Sequence, residues 1–215
     1  MANKYLPIGI SLTGRNCLVV GGGKVALRKI DTLLEYDTKI TVITPEPVEK
    51  IRRYAESNKL TLIQREYQSA EAADYGLVVS ASPDHAVNKQ VYQDATGARV
   101  PVNVVNNSAL CDFVFPEVIR RDCLTVAVST DGKAPFLTGY LRLILDDIFP
   151  ERWNRIARYA AVYRKMMQER GPKGREDKMR CLNRFLGADW KEILKEKSED
   201  QINEEMSDWL KGEKD

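Results

Sequence analysis

The sequence predicts an α/β chain: a parallel sheet with covering helices first, a small hairpin-plus-helix region second, helices alone last. Three observations carry that prediction. Residues 16–26, NCLVVGGGKVA, run from an unbroken apolar stretch through three glycines into a helical pattern. Short β-branched runs and amphipathic stretches then alternate as far as residue 105, the rhythm of parallel strands joined by helical crossovers. Beyond residue 113 two strand-like runs sit only three residues apart, and after Pro150 apolar residues recur at helical spacing.

Tyr5 to Ile10 is an extended apolar lead-in, and Thr13-Gly14-Arg15 is a turn. Asn16 to Val20 reads as a buried strand because Cys17, Leu18, Val19 and Val20 leave no polar face. Gly21, Gly23 and Ala26 then complete G-x-G-x-x-A, the dinucleotide-binding fingerprint. Gly21 permits the tight turn, Gly23 lets backbone approach a pyrophosphate, and Ala26 lets the helix pack close to the strand. Val25, Ile30, Leu33 and Leu34 give the helix over 24–36 an apolar face, so its amides and positive dipole end point at the glycine turn. An anion belongs there. Lys39 to Ile43 alternates with β-branched residues and reads as the second strand, closing a β-α-β unit of Rossmann type.

An acidic residue about 20 positions past the glycines often binds the ribose hydroxyls of NAD. Here Glu46 follows Thr44-Pro45, and no arginine comes directly after the strand; Arg52 and Arg53 sit on the next helix. That pattern favours NAD over NADP. Glu46 to Asn58 is a charged helix, Leu60 to Ile63 a third strand, Ala70 to Tyr75 a short helical link and Gly76 to Ser80 a fourth strand. Ala81-Ser82-Pro83-Asp84 places small residues at the carboxyl end of that strand, where doubly wound sheets bind ligands, or caps the helix over 84–97. His85 falls in the cap region and reads as a surface residue. Val100 to Val105 is the fifth strand, feeding Asn106-Asn107-Ser108 onto the same edge.

Phe113 to Arg120 and Leu124 to Ser129, separated by Arg121-Asp122-Cys123, form an antiparallel hairpin. Pro135 suits the first turn of a helix over 135–148 whose apolar residues, Phe136, Leu137, Tyr140, Leu141, Leu143, Ile144 and Ile148, cover more than one face. Such a helix buries itself against another element, and with the hairpin it could form a dimer interface. Trp153, Ile156, Ala160, Tyr163 and Met167 continue at helical spacing, Gly171-Pro172-Lys173-Gly174 breaks the run, and Met179 to Leu186, Trp190 to Leu194 and an acidic end are further helices. The expected organisation is therefore 1–112, a nucleotide-binding domain; 113–150, a dimerisation region; and 151–215, a helical domain.

At 215 residues and 43% hydrophobic content the chain can bury a core. No apolar run reaches the roughly 18 residues of a membrane span, and MANKYLPIGI lacks a signal-peptide pattern; a cytoplasmic protein with no membrane partner is expected. Cys17, Cys111, Cys123 and Cys181 are scattered, which favours thiols over disulfides, and one histidine without a CxxC argues against a resident metal. Residues 1–150, 151–184 and 185–215 carry net charges of 0, +7 and −5. The basic stretch is a solvated helix face or a funnel for a polyanionic small molecule; its aromatics fit core positions at least as well as stacking platforms, so nucleic acid is not the expected partner. There is no Tyr-x-x-x-Lys for short-chain dehydrogenase chemistry and no P-loop for phosphoryl transfer.

Three stretches, LPIGISLTGRNCLVVGGGKVALRK, NVVNNSALCDFVFP and LTVAVSTDGKAPFL, in that order and spacing, resemble the precorrin-2 dehydrogenase/sirohydrochlorin ferrochelatase family, the N-terminal module of siroheme synthases, over about residues 5–165. With no methyltransferase domain following, the stand-alone form is expected. The resemblance implies NAD-dependent oxidation of precorrin-2 to sirohydrochlorin in a homodimer; some members also insert ferrous iron. The family's NAD contacts fall on Gly22, Gly23, Lys24, Val25, Pro45 and Glu46. Gly21 precedes them in the fingerprint, and Thr44, Ser80, Ala81, Ser82 and Val105, at strand ends, complete the cofactor-binding candidates. The family's proposed catalytic aspartate follows the NVV triplet, where this chain has Asn106. An amide cannot accept a proton as a carboxylate does. Either Asn106 orients substrate or Asp112 supplies the carboxylate, and Asp112 reads equally as a structural loop acid. The competing reading is a non-catalytic NAD-sensing module with a helical partner-binding tail.

Overall fold

The computed structural model describes residues 5–211. The chain divides into two compact units, one up to Phe115 and one from Pro116 on.

In the first unit the expected alternation holds throughout: β1 (Asn16–Val20), α1 (Lys24–Leu33), β2 (Lys39–Ile43), α2 (Glu49–Glu56), β3 (Thr61–Ile63), a 3₁₀ turn (Glu71–Asp74), β4 (Leu77–Ser80), α3 (His85–Gly97) and β5 (Val102–Val104). The five strands are all parallel in the order β3-β2-β1-β4-β5. The chain winds outward from β1 to β3, then crosses to β4 and β5, so the order reverses between β1 and β4. Side chains alternate across a strand, which explains the solid apolar run of β1. Cys17 and Val19 join Ala26, Ile30, Leu33 and Ile51 on one face, while Leu18 and Val20 join Val91, Ala95 and Val102 on the other.

Several boundaries differ from the expected ones for local reasons. α1 stops at Leu33 because Glu35 and Tyr36 donate to the carbonyls of Thr32 and Leu33, three residues back, tightening the last turn. α2 begins at Glu49, not Glu46: Pro45 and Pro47 have no N–H to give, and the N–H of Val48 donates to Gly22 O at 2.8 Å. β5 begins after Pro101 and is shorter than the run that predicts it.

The second unit opens with the hairpin β6 (Glu117–Arg121) and β7 (Leu124–Val128). Arg121 pairs with Leu124, so the turn is the two residues Asp122-Cys123, with Asp122 at φ 55°. The strand starts at Glu117 rather than Phe113 because Phe113 and Phe115 pack onto the core of the first unit's sheet. α4 (Pro135–Ile148) follows, tied to the hairpin where Arg121 donates to Phe149 O at 2.6 Å and to Asp146 at 2.5 Å. α5 (Trp153–Arg170), α6 (Arg175–Gly187), α7 (Trp190–Glu196) and α8 (Glu199–Lys211) enclose Tyr159, Tyr163, Phe185, Trp190, Ile202 and Met206. α6 starts four residues before Met179 because Glu176 and Asp177 suit its first turn. Tyr163 stacks on Phe185, its hydroxyl donates to Cys181 O at 3.1 Å, and burial pushes its pKa up to about 12. None of the four cysteines is in a disulfide. Among the described residues no helix is long and apolar enough to cross a membrane.

Candidate nucleotide and substrate site

The glycine turn sits at the carboxyl end of β1, the central strand. Gly21 has φ +117°, and a Cβ there would stand 2.5 Å from Ala81 O. Gly22 is enclosed as well: a Cβ would meet Thr44 Oγ1 at 2.6 Å and Glu46 O at 2.7 Å. These two glycines let the ends of β1, β2 and β4 close together, an arrangement tied by Gly21 N donating to Ile43 O at 2.9 Å and Ala81 N to Val20 O at 2.7 Å.

Gly23 is different. It is the N-cap of α1 at φ −83°, a Cβ on it would meet nothing within 4 Å, no side chain caps the helix and no acidic residue lies in its first turn. The amides of Lys24, Val25 and Ala26 precede the first possible i−4 acceptor and carry the helix's partial positive charge. An open, uncapped helix start with a bare backbone is what a pyrophosphate requires, so the residues present fit a dinucleotide. Lys24, Val25, Pro45 and Glu46 are exposed beside it. Thr44 is buried, its hydroxyl accepting from Glu46 N at 3.4 Å, so it shapes the loop that carries Glu46.

Ser80 differs from its neighbours in role. Its side chain is fully buried and donates to Asn88 Oδ1 at 2.6 Å. Asn88 also accepts from Ser82 N at 3.2 Å and donates to Ser82 O at 2.9 Å. Ser80 therefore braces the β4–α3 loop, while Ala81 and Ser82 are the partly exposed residues of that loop. Asn88 is absent from the sequence-based site. Its only signal is a polar residue one turn inside a helix, four after the cap Asp84, which accepts from Ala86 N at 2.7 Å.

β5 ends in a cleft of about 320 Å³ lined by His85, Asn88, Lys89, Val105, Asn106 and Leu110, among others. Asn106 is exposed and in the left-handed region at φ 61°, which Asn and Asp tolerate better than other side chains. The buried Cys111 thiol holds this turn, with Val104 N donating to it at 3.3 Å and Sγ donating to Asn107 O at 3.2 Å. Asp112 goes elsewhere. The chain folds back antiparallel to β5, pairing Asn103 with Cys111, and Val102 N donates to Asp112 Oδ2 at 3.1 Å at the opposite end of the strand. The structure brings Asn106, Val105 and His85 together and does not bring Asp112 to them. Among the described residues no cluster of three His, Cys, Asp or Glu side chains could hold a metal.

A glycine turn at the switch point, an open helix start and a cleft at the carboxyl edge define a dinucleotide-binding α/β protein. The NAD(P)-binding family model matches residues 8–117, and the chain belongs to that family. It is 37% identical over 167 residues to the siroheme synthase of Nitrosococcus oceani, covering 78% of this chain and 36% of the relative. The siroheme synthase of Nitrosospira multiformis is 38% identical over 170 residues, with 77% and 36% covered. The chain thus spans about a third of the length of these relatives. Among solved structures it is similar to SirC, a precorrin-2 dehydrogenase, with a TM-score of 0.70 at 23% identity over 97% of this chain and 100% of that one; that likeness concerns the fold.

Proposed function

We propose that the protein oxidises precorrin-2 to sirohydrochlorin with NAD as acceptor. The observation that carries this is the cleft of about 320 Å³ between the start of α3 and the carboxyl end of β5, two strands along the same sheet edge from the glycine turn of β1, in a chain 37% identical to a siroheme synthase. NAD, when bound, supplies a hydride acceptor. The chain's own work is orientation: Gly23 and the start of α1 hold the pyrophosphate, Glu46 meets the ribose, and Ala81, Ser82 and Val105 line the approach from the nicotinamide end to the substrate. Arg52 donates to Gln64 and Arg53 to Glu49, so neither arginine is set aside for a 2′-phosphate, which supports NAD over NADP.

The +7 stretch of residues 151–184 is, taken by itself, a surface suited to a polyanionic small molecule. α4 leaves Phe136 80%, Leu143 68% and Tyr140 61% exposed, an apolar face that supports a homodimer built on residues 113–150. Iron insertion into the product would need a base for two pyrrole protons, and Asn106 offers none. Anaerobic mixing of the protein with precorrin-2 and NAD tests the proposal. NADH and sirohydrochlorin forming together support it, and bound NAD without turnover favours a sensing module instead.

A further inference from the structure

Oxidation of precorrin-2 removes a hydride and a proton. The ring C–H bond that breaks first gives both its electrons to NAD, which becomes NADH. A second ring hydrogen then leaves as a proton, its bonding electrons staying in the extended π-system, and some group must receive it. Asn106 cannot, because an amide is not a base near neutral pH. Asp112 accepts from Val102 N at the far end of β5.

His85 is the only histidine in the sequence. It opens α3, is exposed, and lines the same cleft as Asn106. Lys89, four residues on and so on the same face of α3, lines it too. Those are the only titratable side chains of the lining; the β5 side contributes Val104, Val105, Asn106 and Asn107, none of them charged. Asp84, the neighbour of His85, caps α3 through Ala86 N. The brace of Asn88 to Ser80 and Ser82 holds the start of this helix against β4, so the backbone that carries His85 is held at the edge of the cleft.

Resting on the oxidation proposed above, we propose that His85 is the proton acceptor of the reaction, in a cleft where Asn106 cannot serve, and that Lys89 holds a substrate carboxylate beside it. Histidine is the side chain suited to exchanging a proton near neutral pH. Lys89 anchors a polycarboxylate by charge.

The experiment is steady-state oxidation of precorrin-2 by the parent chain and by His85→Ala and Lys89→Met, with NAD affinity measured separately by fluorescence. Both positions are exposed helix sites where Ala and Met are good helix formers, so folding is preserved. His85→Ala lowers kcat by on the order of 100-fold, leaves NAD affinity unchanged, abolishes the acidic limb of the kcat–pH profile and regains rate when free imidazole is added. Lys89→Met raises the KM for precorrin-2 more than it lowers kcat. A His85→Ala protein with parental kcat and pH profile, or a loss that imidazole does not relieve, overturns the assignment. A parent chain that forms no NADH sinks the assignment and the proposed function together, whereas an active parent with an unaffected variant sinks the assignment alone.

Discussion

Gly21 and Gly23 stand two residues apart and do opposite work. Gly21 fits the fold: its φ of +117° and the 2.5 Å approach of Ala81 O leave no room for a Cβ. Gly21→Ala is expected to destabilise the first unit by about 1–3 kcal/mol, read by urea denaturation. Gly23 faces open space, so Gly23→Ala is expected to leave the denaturation midpoint nearly unchanged while weakening NAD binding about tenfold, the equivalent of about 1.4 kcal/mol. Equal stability losses would refute this division. Asn88→Ala strands the buried Ser80 hydroxyl and should lower stability by about 1–3 kcal/mol; a variant as stable as the parent would show that the brace is dispensable. The glycines were legible because a fingerprint spaces them. Asn88 and the cleft position of His85 were not, because a helix register fixes which residues look into a cleft and no local pattern announces it. Asp112 shows the converse: six residues after Asn106 in sequence, it lies at the other end of β5 because the chain doubles back.

At the level of elements, strands covered on both faces were read well because their apolar runs admit no other placement. Boundaries shifted where a backbone N–H found a better acceptor: Val48 to Gly22 delays α2, and Glu35 and Tyr36 end α1 early. Neither bond has a signature in residue type. The 3₁₀ turn before β4 is held by Glu71, which pairs with Arg65 and accepts from Gln68 N at 2.6 Å. Arg65 first, and the Gln68 N–H after it, hold the Glu71 carboxyl below its usual range against the upward push of partial burial. A carboxyl depressed in the folded state stabilises above its unfolded pKa, and that stability is lost as the pH falls through the folded value. Glu71→Gln should therefore cost less than about 1 kcal/mol at neutral pH, since the pair is partly exposed, and the difference should vanish in acid. A gap that widens on acidification would reverse the sign. On α4, Leu143→Glu puts a charge on the exposed apolar face and should convert a dimer to a monomer in analytical ultracentrifugation; a parent that is already monomeric would remove this face from the assembly.

For the whole molecule, the two units were built by different rules. The first is a sheet that fixes residues from β1, β2, β4 and β5 at one carboxyl edge, so most of its candidate residues were readable once the strand order was assumed. The second closes on an aromatic cluster in which Tyr163, Phe185, Trp190 and Trp209 meet stacked, tilted or edge to face. Its helices were legible from periodicity, but that periodicity says only that a face is buried, not which helix it meets. Burial holds Tyr163 neutral, with its pKa raised to about 12, so the helical unit should lose stability as the pH rises above the ordinary tyrosine range, a loss that Tyr163→Phe would suppress.

The most direct measurement is the anaerobic absorbance of the purified protein with precorrin-2 and NAD. Stoichiometric appearance of NADH and sirohydrochlorin, abolished when the nucleotide is omitted, is the outcome expected of a dehydrogenase. NAD that binds at the glycine turn while precorrin-2 stays unchanged would contradict it and leave the sheet as a nucleotide sensor.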